Sequence, residues 1–310
     1  MRPRTGRTLA LVGPTAGGKT EAGLALAGTF AAEIVSVDSM LIYRGMDIGT
    51  AKPSLAQRAA VPHHLMDLVD PSEPFTVARY QELANGVLEE LRARDVTPLL
   101  VGGSGLYFRA CVDDLEFPPT DPDVREDLEH QADALGSERL FSRLRDMDPV
   151  AADKIEPGNV RRTIRALEVA GLTGRAFSSF ATAWDRYPTE RATVAGIELD
   201  RATLHLRIAR RVDAMMRAGW LEEVRRLADG GFAGWLTATQ AIGYAELARH
   251  LDGTLPLEEA LALTVKRTKQ LARRQMAWFR RDPRVRWFSV GEAGALDAVD
   301  EIATYLGAGG

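Results

Sequence analysis

The sequence feature that most constrains this chain is a G-x-x-x-x-G-K-T motif near its start, directly after a short apolar run. Glycines in such a motif let backbone N–H groups approach phosphate oxygens, and the lysine adds a positive charge. The hydroxyl of the final threonine can bind Mg²⁺. The motif therefore predicts a phosphate-binding loop, the P-loop, formed by Gly13, Pro14, Thr15, Ala16, Gly17, Gly18, Lys19 and Thr20.

Short apolar runs alternate with helical patterns through the first third of the chain. The runs at 8–12, 34–37 and 98–101 predict buried strands, and the patterns at 21–29 and 77–94 predict helices. Strand and helix in alternation are typical of a parallel sheet, in which the loops after the strands meet at one edge. The sequence therefore predicts an α/β fold, a P-loop NTPase-like parallel sheet flanked by helices.

The character of the sequence changes after Pro119, where charged helical sequence replaces the apolar runs. Asp121-Pro122 and Asp148-Pro149 predict helix starts, because aspartate caps a helix and proline is tolerated in its first turn. Strand character returns at 193–199, before predicted helices over 201–229, 239–251 and 256–281. We therefore predict a core domain made of residues 1–118 and 190–310, with basic helices at its C-terminal end, and an inserted helical subdomain over 119–189.

Composition restricts the class of protein. A chain of 310 residues with 45% hydrophobic residues can bury a large core. The single cysteine, Cys111, has no partner for an internal disulfide, and no apolar stretch approaches the roughly 20 residues of a membrane-spanning helix. We expect a soluble, cytoplasmic protein, and a monomer because no exposed apolar stripe stands out. With a net charge of -4, nucleic-acid binding would depend on local basic surfaces.

The residues alone leave open which phosphate compound the P-loop binds. A GTPase is disfavoured because the guanine-reading motif N-K-x-D is absent, the only asparagines being Asn85 and Asn159. Asp38, at the end of the second predicted strand, is placed to accept a proton from a substrate hydroxyl. A kinase for a small hydroxyl compound is therefore one hypothesis, although an arginine-bearing lid is not identified. A non-catalytic RNA-binding ATPase is another.

Five further segments resemble the tRNA dimethylallyltransferases, also called isopentenyltransferases, of bacterial type. They occur in family order at 37–53, 62–67, 101–107, 165–169 and 241–244. The resemblance implies transfer of a dimethylallyl group from dimethylallyl diphosphate to N6 of the adenosine at tRNA position 37, just 3′ of the anticodon, with release of diphosphate. In that family the P-loop holds the prenyl diphosphate instead of a nucleotide, so ATP binding does not follow from the motif.

The resemblance also implies catalytic roles. Asp38 is the general base that takes a proton from the adenine amine, and Ser104, where many members carry threonine, orients the amine or the base. Lys19, the P-loop amides and Arg211 stabilise the departing diphosphate, with Mg²⁺ bound to Thr20. The alternatives are that Asp38 is a helix cap or supports the metal, and that Arg211 is a solvated helix charge.

A stacked base cannot reach a buried diphosphate, so the enzyme must extrude the adenosine and bind the RNA backbone. The helix predicted over 256–281 carries seven cations and no acid from Lys266 to Arg281, although such runs are often solvated faces. Together with the resemblance, this gives candidate contacts with the tRNA anticodon stem-loop at Asp38, Ser39, Met40, Leu41, Arg161, Arg162, Thr163, Ile164, Arg165, Gln240, Ala241, Ile242, Gly243, Tyr244, Lys266, Arg267, Lys269, Arg273 and Arg274.

Overall fold

The computed structural model describes residues 8–181, 183–235 and 237–308. The chain divides into two compact units. The core unit contains the residues up to Val112 and those from Pro188 onward, and the inserted unit contains Asp113–Tyr187. The boundaries predicted from sequence lie after residues 118 and 189.

The core unit is built on a parallel sheet with strand order β3-β2-β4-β1-β5-β6. Its strands are β1 Thr8–Val12, β2 Ala32–Val37, β3 His63–His64, β4 Thr97–Gly102, β5 Ala192–Glu198 and β6 Val285–Ser289. All five residues of β1 are buried between β4 and β5, so the P-loop follows an interior strand. The α/β fold with a P-loop NTPase-like sheet is confirmed.

The helices, in chain order, are α1 Lys19–Phe30, α2 Leu55–Ala60, α3 Val77–Ala93, α4 Gly105–Val112, α5 Pro122–Leu135, α6 Ser137–Met147, α7 Pro149–Ala152, α8 Val160–Thr173, α9 Arg201–Arg217, α10 Trp220–Asp229, α11 Tyr244–Leu251, α12 Leu257–Phe279 and α13 Val299–Ala308. Helices α1 and α13 pack against the sheet through a cluster that includes Leu11, Leu26 and Ile302. None of the described helices is long and apolar enough to span a membrane.

Two predicted helices begin or end elsewhere, and glycines at positive φ are the cause. The helix predicted over 201–229 is interrupted at Gly219, whose φ of 97° lies in the left-handed region and ends α9 before α10 begins. The helix predicted over 239–251 begins only at Tyr244, because Gly243 has a φ of 94°. The edge strands β3 and β6 were missing from the prediction.

The inserted unit consists of α5–α8 around its own apolar cluster, which includes Leu128, Phe141 and Leu144. Both predicted helix starts are confirmed. Asp121 Oδ1 accepts hydrogen bonds from the N–H groups of residues 123 and 124, and Asp148 Oδ1 accepts one from the N–H of residue 151.

Candidate active site

The P-loop is a tight connection between β1 and α1. Gly13 has a φ of 149°, and a Cβ at this position would lie 2.9 Å from the carbonyl oxygen of Ile197, so the loop requires glycine here. Gly18, with a φ of 84°, directly precedes α1, which begins at Lys19. The first N–H groups of a helix have no partner within the helix and attract anions. The loop therefore presents backbone N–H donors and the Lys19 side chain to the same anion.

Two further loops reach the same edge of the sheet. Asp38 follows β2, and its Oδ1 accepts a hydrogen bond of 2.8 Å from the Met40 N–H. Ser104 follows β4, and its N–H donates to the Val37 carbonyl oxygen at 3.1 Å. The carboxylate and the hydroxyl therefore lie on neighbouring strand ends, as the parallel sheet predicts.

A cavity of about 560 Å³, which we name the phosphate cavity, is lined by the P-loop residues 15–20 and by Arg207, Arg210 and Arg211 of α9. A second cavity of about 440 Å³, the adjacent cavity, has many apolar residues in its wall, including Ile208, Met215, Trp220, Ile242, Leu271 and Trp278. Both cavities are lined by Thr15, Asp38, Thr50, Gly103, Arg211 and Gln275. An anion held in the first cavity and a planar group held in the second would therefore meet at Asp38 and Arg211.

Lys19 has an unusual electrostatic environment. Its Nζ donates to the Pro14 carbonyl oxygen at 2.6 Å. Burial lowers the pKa of its amine to about 7, and the nearby charge of Arg211 also lowers it, whereas Asp38 and Glu21 act in the opposite direction. Without an anion, the lysine is therefore only partly charged near neutral pH, and a bound diphosphate would restore its proton.

This pKa predicts how diphosphate binding depends on pH. In the free protein Lys19 loses its proton around pH 7, whereas the bound anion raises the pKa again, so binding above pH 7 takes up a proton. The affinity for inorganic diphosphate should then fall by up to about tenfold per pH unit between pH 7 and 9. Calorimetric titrations at pH 7, 8 and 9 measure this. Comparison with Lys19→Met separates the lysine from the ligand's own titration, and equal slopes in both proteins would contradict the prediction.

Arg207 and Arg210 are not among the site residues predicted from sequence, although they lie on the helix that carries Arg211. Arg207 Nε donates to the Ala16 carbonyl oxygen at 2.7 Å, and its Nη1 contacts the Glu292 carbonyl. Arg207 therefore stabilises the P-loop by binding its Ala16 carbonyl oxygen. The i, i+3 and i+4 spacing of the three arginines was a usable signal, because it places them on one helix face.

Glu223 of α10 is also absent from the site residues predicted from sequence. Its side chain is buried and accepts hydrogen bonds from the N–H groups of Asp47, Ile48 and Gly49 at 2.9, 2.8 and 3.2 Å. It also accepts one from the Tyr244 hydroxyl at 2.6 Å. These bonds fix the loop that leads to Thr50, which lines both cavities. The sequence has no signal that distinguishes this glutamate from the exposed Glu222 beside it.

Replacing Glu223 with alanine should lower the free energy of unfolding by on the order of 2–5 kcal/mol, because four donors lose their acceptor and three of these are backbone N–H groups. Chemical denaturation measures the change. Glu222→Ala is the matched control, since that side chain is 67% exposed and should change stability by about 0.5 kcal/mol or less. Equal effects of the two substitutions would show that Glu223 does not hold the loop.

The candidate RNA contacts at 161–165 differ in their placement. Arg161 and Arg162 are exposed at the start of α8. Thr163 and Ile164 are 1% and 4% exposed and face the core of the inserted unit, so their side chains are not available to RNA. Arg165 binds the Glu168 carboxylate at 2.7 Å and two backbone carbonyl groups, which gives it a structural role. Only the first two residues of this segment therefore present side chains to a ligand.

The other candidate RNA contacts fall into two groups. Ser39, Met40, Gln240, Ala241 and Ile242 line the adjacent cavity, and Leu41 lines the phosphate cavity. Tyr244 is completely buried against Glu223, and a Cβ on Gly243 would lie 2.0 Å from the Trp220 ring, so these two residues are structural.

Helix α12 presents most of its cations to solvent. Lys266, Arg267, Arg273 and Arg274 are exposed, and Lys269 is half-buried. Arg267 forms an ion pair with the buried Glu246, so part of its charge is compensated within the protein. The basic face predicted from sequence is therefore present, with Arg267 serving the fold as well.

Comparisons with known proteins identify the family of this chain. Residues 41–282 match the family model for IPP transferase. A tRNA dimethylallyltransferase of a Nocardioides species is 48% identical over 309 residues, which are 99% of this chain and 99% of the relative. A tRNA dimethylallyltransferase of Desulforudis audaxviator is 47% identical over 294 residues, which are 94% of this chain and 95% of the relative.

Solved structures give the same result. The tRNA isopentenylpyrophosphate transferase of Bacillus halodurans superposes with a TM-score of 0.71 at 39% identity, over 98% of this chain and 96% of that one. A eukaryotic dimethylallyltransferase acting on tRNA has a TM-score of 0.79 at 24% identity, over 96% and 76%, and supports the fold alone. Because the family model covers most of the chain and the relatives are nearly half identical over their full length, this chain belongs to the IPP transferase family.

Proposed function

We propose that this chain is an enzyme that transfers a dimethylallyl group from dimethylallyl diphosphate to N6 of the adenosine at tRNA position 37 and releases diphosphate. Family membership supports the reaction type. The observation that carries the proposal is that a cationic cavity and a cavity with a largely apolar wall are both lined by Asp38 and Arg211. The reaction requires one cavity for the diphosphate and a neighbouring cavity for the adenine that attacks the dimethylallyl group.

The chemistry has one bond that breaks and one that forms. The carbon–oxygen bond between the dimethylallyl group and the diphosphate breaks, and its electron pair leaves with the diphosphate. The P-loop N–H groups, Lys19 and Arg211 stabilise this charge where it develops. The carbon forms a new bond with N6 of adenine. The departing diphosphate therefore depends on donors that are in place before the reaction.

The attacking amine must lose a proton as it bonds to carbon. Asp38 lies between the two cavities, and one of its oxygens is held by the Met40 N–H, which fixes the direction of the carboxylate. Ser104 lines the adjacent cavity and offers a hydroxyl to orient the amine. We assign Asp38 as the general base on this placement.

Mg²⁺ fits the phosphate cavity as a partner of the diphosphate. Magnesium keeps several waters and binds one or two protein ligands together with phosphate oxygens. The Thr20 hydroxyl and the Glu21 carboxylate line the cavity, and both are oxygen donors of the kind that Mg²⁺ takes. Within the described part of the chain, no three His, Cys, Asp or Glu side chains group as a metal site. When bound, the ion would neutralise charge on the diphosphate.

The RNA would bind through exposed positive charges, some in the core unit and some in the inserted unit. Arg273 and Arg274 are exposed on α12, and Arg274 also lines the adjacent cavity. In the inserted unit, Arg161 and Arg162 are the exposed members of their segment. Phosphate contacts of this kind position the RNA, while the adenosine enters the adjacent cavity.

Replacing Arg161 and Arg162 together with alanine should weaken binding of the tRNA and reduce its salt dependence. Each lost phosphate contact lowers the slope of log K against log salt by about 0.7–0.9, because fewer counterions are released. Filter binding over a salt series measures the slope. Arg139 and Arg145, two other arginines of the inserted unit, provide the matched double alanine control. An unchanged slope in the Arg161 and Arg162 variant would remove this cluster from the RNA interface.

Two parallel labelling assays test the proposed function. The protein is incubated with undermodified tRNA and either labelled dimethylallyl diphosphate or ATP labelled in its γ-phosphate. We expect the dimethylallyl label in RNA and no transfer from ATP. Label from ATP in a small molecule or in free phosphate, with no label from dimethylallyl diphosphate in RNA, would replace this reaction with that of a kinase or an ATPase.

A further inference from the structure

Gln275 of α12 contacts the P-loop directly. Its Oε1 accepts a hydrogen bond of 2.8 Å from the N–H of Thr15, although 260 positions separate the two residues in sequence. This bond fixes the first turn of the P-loop, before the N–H groups that precede Lys19. Neither the P-loop motif nor the resemblance of the sequence points to this glutamine.

The amide of Gln275 is also held from its other side. A Cβ on Gly103 would lie 2.4 Å from Nε2 of Gln275, so the amide packs directly on the Gly103 backbone after β4. Gln275 thus occupies the space between the P-loop and the loop that carries Ser104. It lines both the phosphate cavity and the adjacent cavity.

The helix that carries Gln275 also presents the cations assigned to RNA. Arg273 and Arg274 precede the glutamine and are exposed, and Trp278, one turn later, lines the adjacent cavity with Arg274. Helix α12 is a continuous helix from Leu257 to Phe279. A phosphate held by Arg273 or Arg274 would contact the helix turn that carries Gln275. A diphosphate would contact the P-loop that Gln275 binds, so the Gln275 side chain connects the two binding sites.

We propose that Gln275 is a positioning residue that couples the two substrates, so that RNA bound on α12 and diphosphate bound on the P-loop strengthen each other. The inference rests on the proposed function, because it takes RNA as the ligand of the cations. RNA bound at Arg273 and Arg274 acts on the helix turn that carries the Gln275 amide. The hydrogen bond with Thr15 transmits the position of this turn to the P-loop, so each ligand favours the arrangement that the other binds.

Thermodynamic linkage makes the coupling measurable. If RNA raises the affinity for diphosphate by some factor, diphosphate raises the affinity for RNA by the same factor. The dissociation constant of inorganic diphosphate is measured by calorimetry with and without a saturating, unmodified anticodon stem-loop RNA. For the unaltered protein we expect RNA to strengthen diphosphate binding about fivefold or more.

The test variant is Gln275→Met, which keeps the length of the side chain and removes the acceptor for Thr15. We expect the coupling factor to fall to within about twofold of one, while prenyl transfer persists with a raised KM for the diphosphate substrate. Gln270→Met on the exposed face of the same helix is the control and should keep the full coupling. Gln275→Leu, a second replacement without the acceptor, should also lose it and decides the matter if Gln275→Met does not fold.

Full coupling in folded Gln275→Met, or its absence from the unaltered protein, would overturn the inference. Prenyl transfer by the unaltered protein is measured in parallel. A protein that transfers the prenyl group without coupling refutes only the role of Gln275. A protein that does not transfer it refutes the proposed function, whatever the coupling.

Discussion

Asparagine in place of Asp38 should lower the turnover number for prenyl transfer by about 10²- to 10⁴-fold, the range for a positioned base. Asparagine has the same shape and still offers an oxygen to the Met40 N–H, so the loop after β2 should be retained. It cannot take the proton that N6 loses. Steady-state transfer to tRNA measures the loss, and filter binding checks that RNA affinity stays within about twofold.

The exposed Asp300→Asn in α13 is the control for this substitution, since it removes one carboxylate away from the cavities. Its turnover should match that of the unaltered enzyme. If Asp38→Asn turned over at a similar rate to this control, Asp38 would not be the base, and its role would be the fixed turn that its bond with Met40 forms.

Methionine in place of Lys19 should lower kcat/KM for dimethylallyl diphosphate by about 10²- to 10³-fold, because a donor to the developing diphosphate charge is lost. The ligand-free protein should be as stable as before or more stable. Burial lowers the pKa of Lys19 to about 7, which means that the folded protein disfavours its charge. A large loss of activity without a loss of stability is the expected combination.

Kinetics and thermal unfolding of the ligand-free protein measure the two quantities. Lys154→Met, at an exposed position of the inserted unit, is the control for the loss of a lysine and should change neither. A drop in unfolding temperature by several degrees in Lys19→Met would show that the residue supports the loop. Activity close to that of the control would show that the leaving group is stabilised without it.

The parts of the fold that depend on local sequence were predictable. The strand β1, the P-loop and the start of α1 follow from an apolar run, glycines and a helix pattern within about 20 residues of one another. The helix starts at Asp121 and Asp148 follow from local capping chemistry. The break at Gly219 was missed because glycine in a helical pattern is tolerated unless its φ is positive, which the sequence does not specify.

Other features depend on contacts between distant segments. The edge strand β6 is defined by its pairing with β5, about 90 residues earlier. Gln275 and Glu223 act on backbone groups of loops far away in sequence, and glutamine and glutamate on a helix surface give no local sign of such a partner. These residues could be found only from the folded structure.

The burial of the Thr163 and Ile164 side chains has a simple geometric origin. Successive residues of a helix turn by about 100°, so a contiguous run of five on α8 cannot face one ligand. The resemblance marks a segment, whereas the helix period selects Arg161 and Arg162 from it. When a family resemblance marks a contact segment on a helix, only the residues on one face of that helix should therefore be expected to contact the ligand.

The most direct test is a crystal structure with an unreactive thiolo analogue of dimethylallyl diphosphate and an unmodified anticodon stem-loop. We expect the diphosphate on the N–H groups of the P-loop beside Lys19 and Arg211, with the extruded adenosine in the adjacent cavity. The Asp38 carboxylate should lie about 2.6–3.2 Å from N6 of the adenine. A diphosphate bound away from the P-loop, or an Asp38 carboxylate directed away from the extruded base, would contradict the proposed mechanism.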